Sequence, residues 1–285
     1  MNMYESIYKS SLFKNKVIIV TGGGSGIGRC TAHELAALGA HVIILGRTLE
    51  KLEKVAEEIN QTGQLCDVYS LDIRDSIAIK KVITNIMEKH GAIHGLVNNA
   101  GGQFPSSLEN ISDKGWEAVI RNNLNGGFYM MRDVYNFAMK EHGGTIVNVV
   151  ASVAFGMPHM GHTGAARAGM INLTQTAALE WAHSGVRVNA VAPGSVASSG
   201  METYPEDFKR KLRQRRHQVP MKRQATESEI SSAIVYLLSE GAAYITGETI
   251  AVDGGLPLAK ENWPVPEHNK SKPYNGFPLY KPPVF

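Results

Sequence analysis

Between an apolar run at Val17–Val20 and an amphipathic stretch at Ile27–Leu38 lies Thr21-Gly-Gly-Gly-Ser-Gly-Ile-Gly28, the segment that most restricts how this chain can fold. A buried strand feeding a helix through clustered glycines is the opening of a parallel βαβ unit. Gly22 permits the tight turn, Gly26 lets backbone approach a pyrophosphate, and Gly28 lets the helix pack on the strand. The helix N-terminus then turns free N–H groups and the positive end of its dipole toward the phosphates. Ser25 and Ile27 belong to the same loop and line the same ligand. A glycine triplet alone marks only a flexible turn. At the head of the first strand–helix unit, it makes a dinucleotide site the expectation.

The rest of the chain repeats that alternation. Strands are expected at Val17–Val20, His41–Leu45, Val68–Leu71, Leu96–Val97, Thr145–Val150, Val186–Ala192 and Thr249–Val252. Helices are expected at Ile27–Leu38, Leu49–Ile59, Ser76–His90, beyond an N-cap at Ser112, at Thr163–His183, and at Glu227–Ser239 behind a cap at Thr226. The fold class is therefore α/β: one doubly wound, parallel, seven-stranded sheet with helices on both faces, spanning residues 1–255. Residues 256–285 are different. Seven prolines, from Pro257 to Pro282 and Pro283, alternate with Trp263, Tyr274, Phe277 and Tyr280. Proline at that density forbids a helix and aromatics argue against disorder, so an extended tail on the same or a neighbouring subunit is expected.

Composition excludes several classes of function. Charged residues are 19% and hydrophobic residues 43%, an ordinary globular balance. No apolar run has membrane-spanning length, and Met1–Lys16 lacks a secretory core, so a cytoplasmic protein without membrane contact is expected. Cys30 and Cys66 read as reduced core thiols, and no metal ligand set is read from the sequence. A net charge of +3 is too mild to argue for nucleic acid. The charge is uneven, however: Lys209, Arg210, Lys211, Arg213, Arg215, Arg216, Lys222 and Arg223 fall within fifteen residues. Such a run is by default a solvated helix face, but coenzyme A phosphates would also suit it.

The end of the second strand selects the cofactor. An NAD site places an acid there for the adenosine ribose; this chain has Gly46-Arg47-Thr48. Arg47 can grip a 2′-phosphate with its planar fork, so NADP(H) is the expected cofactor.

Thr21–Gly28, Asp72, Asn98-Asn-Ala-Gly101, Asn123 and Pro193-Gly194 followed by Ser198 resemble, in order and spacing, the short-chain dehydrogenase/reductase family from about Phe13 to Gly255. The resemblance implies that Asp72 and Ile73 frame the adenine, while Asn99, Ala100 and Gly101 line the cofactor. It implies that Pro193, Gly194, Val196 and Ser198 hold the nicotinamide carboxamide. Asn123 matches the asparagine that bends a long helix and anchors a catalytic water. Members pair equivalent helices across a two-fold axis, and Gly164, Ala165, Ala166, Ala168, Gly169, Ala177 and Ala178 give the Thr163 helix little polar face. A homo-oligomer, dimer or tetramer, is expected, with both sides of that helix buried.

The catalytic segment departs from the family. Its Tyr-x-x-x-Lys is replaced by Thr163-Gly-Ala-Ala-Arg167, and Ser152, near the family's active serine, stands only eleven residues before Thr163. An aliphatic hydroxyl does not exchange a proton readily at neutral pH, and arginine offers no lone pair. Arg167 would hold the nicotinamide ribose. His162, beside the vacant tyrosine slot, titrates near neutrality, and His159 and Tyr204 are further candidates. Gly161–Gly169 and Gly101-Gly-Gln-Phe104 resemble two branches: peroxisomal trans-2-enoyl-CoA reductases and bacterial dehydrogenases of acyclic-terpene (citronellol) breakdown. The first implies reduction of an enoyl-CoA C=C bond, with the enolate oxygen held by donors from Ser152, His162 or Thr163. The second implies an alcohol/aldehyde dehydrogenase on acyclic terpenoids. A catalytically impaired NADP-binding protein is the third expectation, against which the intact nicotinamide segment Pro193–Ser198 argues.

Overall fold

The computed structural model describes residues 3–199 and 206–280, so Tyr204, Pro282 and Pro283 lie outside the described residues. Seven strands form one parallel sheet in the order β3-β2-β1-β4-β5-β6-β7: β1 Val17–Thr21, β2 His41–Gly46, β3 Leu65–Ser70, β4 Gly95–Asn98, β5 Gly144–Val149, β6 Val186–Pro193 and β7 Thr249–Val252. The helices are α1 Gly26–Ala37, α2 Leu49–Asn60, α3 Ser76–His90, α4 Asp113–Ile120, α5 Gly126–Val134, a single turn α6 Lys140–His142, α7 Gly161–Glu180, α8 Glu206–Gln214 and α9 Glu227–Leu238.

Alternation along the central strands divides the core in two. Ile19, Ile43, Leu45, Leu96 and Ile146 point to the layer of α3, α5 and α7; Ile18, Val20, Val42, Ile44, Val97 and Val147 point to that of α1, α2 and α9. A sheet buried on both faces needs such continuous apolar strands, each fully buried side chain contributing about 1.5–3 kcal/mol. Two asparagines in the core are paired across elements. Asn98 Nδ2 donates to Asn148 Oδ1 (3.0 Å), and Asn148 Nδ2 donates to Thr174 Oγ1 (2.9 Å), tying β4 and β5 to α7.

Several elements differ from expectation. β3 starts at Leu65, three residues before the apolar run suggests, because the ladder with β2 already pairs Leu65 with His41. As the edge strand it has one neighbour and a weakly buried pattern, so hydrophobicity does not mark its start. The basic run begins within a helix, α8, in keeping with its reading as a helix face. α7 begins at Gly161, two residues early, so Thr163 is not its N-cap. Ala165, Ala168, Asn172 and Leu179 leave one face of α7 exposed on the single chain.

The described part of the tail lies on its own chain over α1 and α9. Phe277 is buried between Tyr4, His33 and the Arg29 guanidinium, and Thr226 Oγ1 donates to the Tyr274 carbonyl. It has a 3₁₀ turn at Leu256–Leu258, a turn closed by a Lys260–Trp263 bridge and a turn at 278–279, with irregular chain and no α-helix between them. The cap expected at Thr226 is part of a full capping box, with the Glu229 carboxylate accepting from the Thr226 N–H at 2.9 Å.

Candidate active site

The carboxyl ends of β1, β4, β5 and β6 bring the sequence-assigned residues to one edge of the sheet. Gly22 has φ +67° and Gly26 φ +56°, conformations that favour glycine. A Cβ on Gly28 would strike the Gly22 carbonyl oxygen and Asn99 Nδ2. Thr21 locks the two loops together: its Oγ1 accepts the N–H groups of Asn99 (3.0 Å) and Ala100 (2.9 Å), and its carbonyl accepts Asn99 Nδ2 (3.0 Å). This leaves bare backbone and the N-terminus of α1 facing outward, a cradle that fits a dinucleotide pyrophosphate.

Sequence reasoning missed two residues here. Ser199 Oγ accepts the Gly26 N–H at 3.1 Å, and Ser199 N donates to Glu227 Oε1 at 3.2 Å. A carboxyl from α9 therefore lies against the pyrophosphate loop. Burial raises its pKa to about 7, with the Ser199 N–H and the Arg29 charge pulling the other way. Glu227 shows in the sequence only as a first-turn residue of α9; its proximity to Gly26 comes from the packing of α9 on α1.

At the adenosine end Arg47 is exposed, and its guanidinium carries no hydrogen bond among the described residues. Gly46 does more than leave room, since its Cβ would press on Leu52 at 3.3 Å. Asp72 is held by Arg74, which reaches both carboxylate oxygens; these bonds are the main reason its pKa falls to about 2. The Ile73 side chain is buried against Gly126. Pro193–Ser198 is fixed against the segment before α9. Ser195 O accepts Ala225 N (2.9 Å), Ala197 N donates to Ala225 O (2.9 Å), and Val196 bridges to Ala225.

The long helical segment α4–α5 carries a π turn at Arg121–Asn125, and Asn123 sits in it, buried. Asn123 Nδ2 donates to Gly102 O (2.6 Å) and Val119 O (2.9 Å), and Oδ1 accepts Gly102 N (3.2 Å). Both donors are used, and one lone pair is left to accept from a water. Arg167 Nη1 donates to Val149 O at 2.9 Å. A Cβ on Gly101 would strike Arg167 Nη2 and come within 2.7 Å of Asn123 Oδ1, so Gly101 is what lets these two meet. Burial lowers the Arg167 pKa to about 10, and the group stays cationic at neutrality.

The phenol-free segment turns inward. His162 and Thr163 are both fully buried. His162 Nδ1 accepts the Thr163 N–H at 2.8 Å, and Nε2 is buried with no hydrogen-bond partner among the described atoms. Burial lowers the His162 pKa, the Met160 carbonyl opposing it, and Phe104 packs edge-on against the ring at 4.6 Å. A neutral imidazole of lowered pKa is a poor proton donor. Ser152 is half-buried in the loop after β5.

Beside this segment a cleft of about 700 Å³ is lined by Ser106, Asn110, His159, Phe208, Lys211 and Arg215, among others. The basic run therefore divides. Lys209 and Arg210 pair with Glu206 and Asp207, Arg223 grips Glu229, and Lys222 lies 3.4 Å from Glu267, while Lys211 and Arg215 line the cleft.

A family profile described as enoyl-(acyl carrier protein) reductase matches residues 22–257. The peroxisomal 2,4-dienoyl-CoA reductase, (3E)-enoyl-CoA-producing, of Danio rerio is 33% identical over 266 residues, covering 92% of this chain and 88% of that protein. The 3-oxoacyl-(acyl-carrier-protein) reductase FabG of Thermotoga maritima is 36% identical over 246 residues, with 86% and 99% covered. A solved structure described as a citronellol catabolism dehydrogenase from Pseudomonas aeruginosa PAO1 superposes with a TM-score of 0.81 at 54% identity, covering 89% of this chain and 99% of that one.

Proposed function

We infer the reaction from one premise: this chain belongs to the short-chain dehydrogenase/reductase family, whose members are NAD(P)-binding oxidoreductases. The reading that best suits its site is an NADPH-dependent reductase of the conjugated C=C bond of an enoyl- or dienoyl-CoA thioester. When bound, the dihydronicotinamide supplies hydride to the substrate carbon at the end of the conjugated system. Charge then builds on the thioester oxygen, and that oxygen needs donors rather than a phenol. Ser152 and Thr163 hydroxyls are the donors of the segment, Asn123 orders a water through its remaining lone pair, and Arg167 holds the nicotinamide ribose. Lys211 and Arg215, on the cleft wall, meet the coenzyme A phosphates. The exposed small-residue face of α7 suits a second copy of the chain.

One observation carries this reading: buried Thr163 fills the tyrosine slot next to an intact cofactor edge. Carbonyl reduction needs a proton delivered to oxygen in the same step, and His162, neutral with its Nδ1 taken, is a poor replacement. The likeness at 54% identity to a citronellol catabolism dehydrogenase favours a second reading, an alcohol/aldehyde dehydrogenase of acyclic terpenoids. NADPH oxidation against a panel of enoyl-CoA and dienoyl-CoA esters, terpenoid aldehydes and simple ketones separates the two. Turnover of the acyl-CoA esters is expected, and replacing Thr163→Tyr with Arg167→Lys leaves it no better. Turnover of aldehydes with every acyl-CoA ester ignored transfers the assignment to the second reading.

A further inference from the structure

Toward the N-terminal end of the sheet, away from the dinucleotide edge, three side chains from three elements converge. His41 opens β2, Asp67 lies in β3, and His90 is the last residue of α3. The register pairs Ile43 with Asp67, so His41, Ile43 and Asp67 share the face on which Ile79, Ile83 and Ile86 of α3 pack. His41 Nε2 lies 3.1 Å and His90 Nε2 3.0 Å from Asp67 Oδ2, and the three atoms fall within 4.8 Å of one another. A tetrahedral ion with bonds of about 2.0–2.1 Å holds its ligand atoms about 3.3 Å apart, and the two edges meeting at Asp67 match.

His90 adds an independent sign. Its side chain is 7% exposed, and Nε2 lies 3.0 Å from Asp67 Oδ2, poorly aligned for a hydrogen bond and with no other described partner. A buried ring nitrogen aimed at a carboxylate is placed to share an ion with it. The His41 and His90 rings meet edge-on with centroids 4.5 Å apart. Neutral imidazole is the ligating form. A groove beside β3, lined by Asn60, Cys66, Asp67, Tyr69 and Lys89, gives an ion a way in. Lys89 Nζ now sits 2.8 Å from Asp67 Oδ2, but its side chain is 55% exposed and can swing into water.

We propose that His41, Asp67 and His90 form a structural site for a divalent transition metal, with water as fourth ligand. Two imidazoles and one carboxylate are a borderline donor set, and Zn²⁺ with its tetrahedral habit suits it. The ion clips the edge strand β3 and the end of α3 to β2, bracing the unit whose opposite end carries Arg47 and Asp72. The ligands lie on separate elements with no short spacing, so no sequence motif announces them.

The test uses the full chain, stripped with a chelator, and zinc chloride alone. Calorimetry is expected to show one zinc per chain with a dissociation constant tighter than about 10 µM, and saturation raises the melting temperature. Co²⁺ gives the visible absorption of a four-coordinate ion. His90→Gln and Asp67→Asn each weaken zinc at least about tenfold and abolish the cobalt band. Lys89→Ala strengthens binding, because the competing ammonium is gone. Absence of a saturable zinc event overturns the site, and so does an event unchanged in His90→Gln, which assigns the metal to other histidines. If a ligand variant fails to fold, the cobalt spectrum and Lys89→Ala still decide: an octahedral spectrum together with unaltered affinity in Lys89→Ala overturns it.

Discussion

The glycine loop Gly22–Gly28 and the segment Ser152–Arg167 belong to the same edge of the sheet, and they treat their polar groups in opposite ways. In the loop positive φ at Gly22 and Gly26 shapes the turn, a Cβ on Gly28 would strike the Gly22 carbonyl, and the Gly22 and Gly26 amides donate to Leu45 O and Ser199 Oγ. In the catalytic segment the side chains of His162 and Thr163 are drawn inside and bonded to each other. Cofactor binding in this fold rests on backbone geometry, which tolerates almost no side chain. Proton transfer rests on two or three side chains, which can be exchanged while the backbone stays. The same scaffold can therefore keep its hydride donor and change the bond it reduces.

The comparison predicts unequal tolerance. A Cβ on Gly28 strikes both the Gly22 carbonyl and Asn99 Nδ2, so a branched side chain there forces apart the two loops that Thr21 holds together. Gly28→Val is expected to weaken dinucleotide binding by about a hundredfold or more, roughly 2.7 kcal/mol, in a protein whose far-ultraviolet circular dichroism is unchanged. Fluorescence titration with NADPH reads this directly. A Gly28→Val protein that binds NADPH like wild type breaks the contrast between the two regions.

The same contrast explains what the sequence disclosed. Glycine spacing, Asn99 to Gly101 and Pro193 to Ser198 are backbone signals set by local chain geometry, and they place the cofactor edge from residue order alone. The strands were legible where both faces are buried, as at Val17–Thr21, and displaced at the edge strand β3, where Leu65 is exposed. Ser199 and Glu227 were not legible, because their position depends on how α9 packs on α1. The burial of His162 was hidden for a related reason: the early start of α7 at Gly161 turns its Nδ1 onto the following amide.

Arg47 tests a smaller effect at the adenosine end. It is exposed, with no acid at Gly46 to bind a ribose hydroxyl pair. NADPH is expected to bind at least about tenfold tighter than NADH, a difference of about 1.4 kcal/mol, and Arg47→Ala should erase most of it. Arg74, engaged by Asp72, is a poor substitute. A preference that survives Arg47→Ala moves the 2′-phosphate contact elsewhere and leaves the glycine loop's role intact.

The smallest effect is a pH dependence seated at Glu227. Its carboxyl faces Arg29 and the Cys30 thiol from α1 and the Ser199 N–H from the loop after β6, and burial lifts its pKa from 4.5 to about 7. Because the folded form holds its proton more tightly than the unfolded chain, this group favours folding least at high pH. Its stabilising share of proton binding is present below 4.5 and is lost as pH rises to about 7. A pyrophosphate at Gly26 brings negative charge beside that carboxyl, so binding favours the protonated form and draws in a proton. NADP⁺ affinity is therefore expected to fall by about threefold between pH 6 and 8, beyond any change shared with Glu227→Gln. The glutamine keeps an oxygen for the Ser199 N–H and cannot ionise, so its own pH profile reports the cofactor's phosphates alone. Parallel profiles for the two proteins would place the Glu227 charge too far from the phosphates to matter, and would leave the glycine loop as backbone only, with no titrating side chain in its reach.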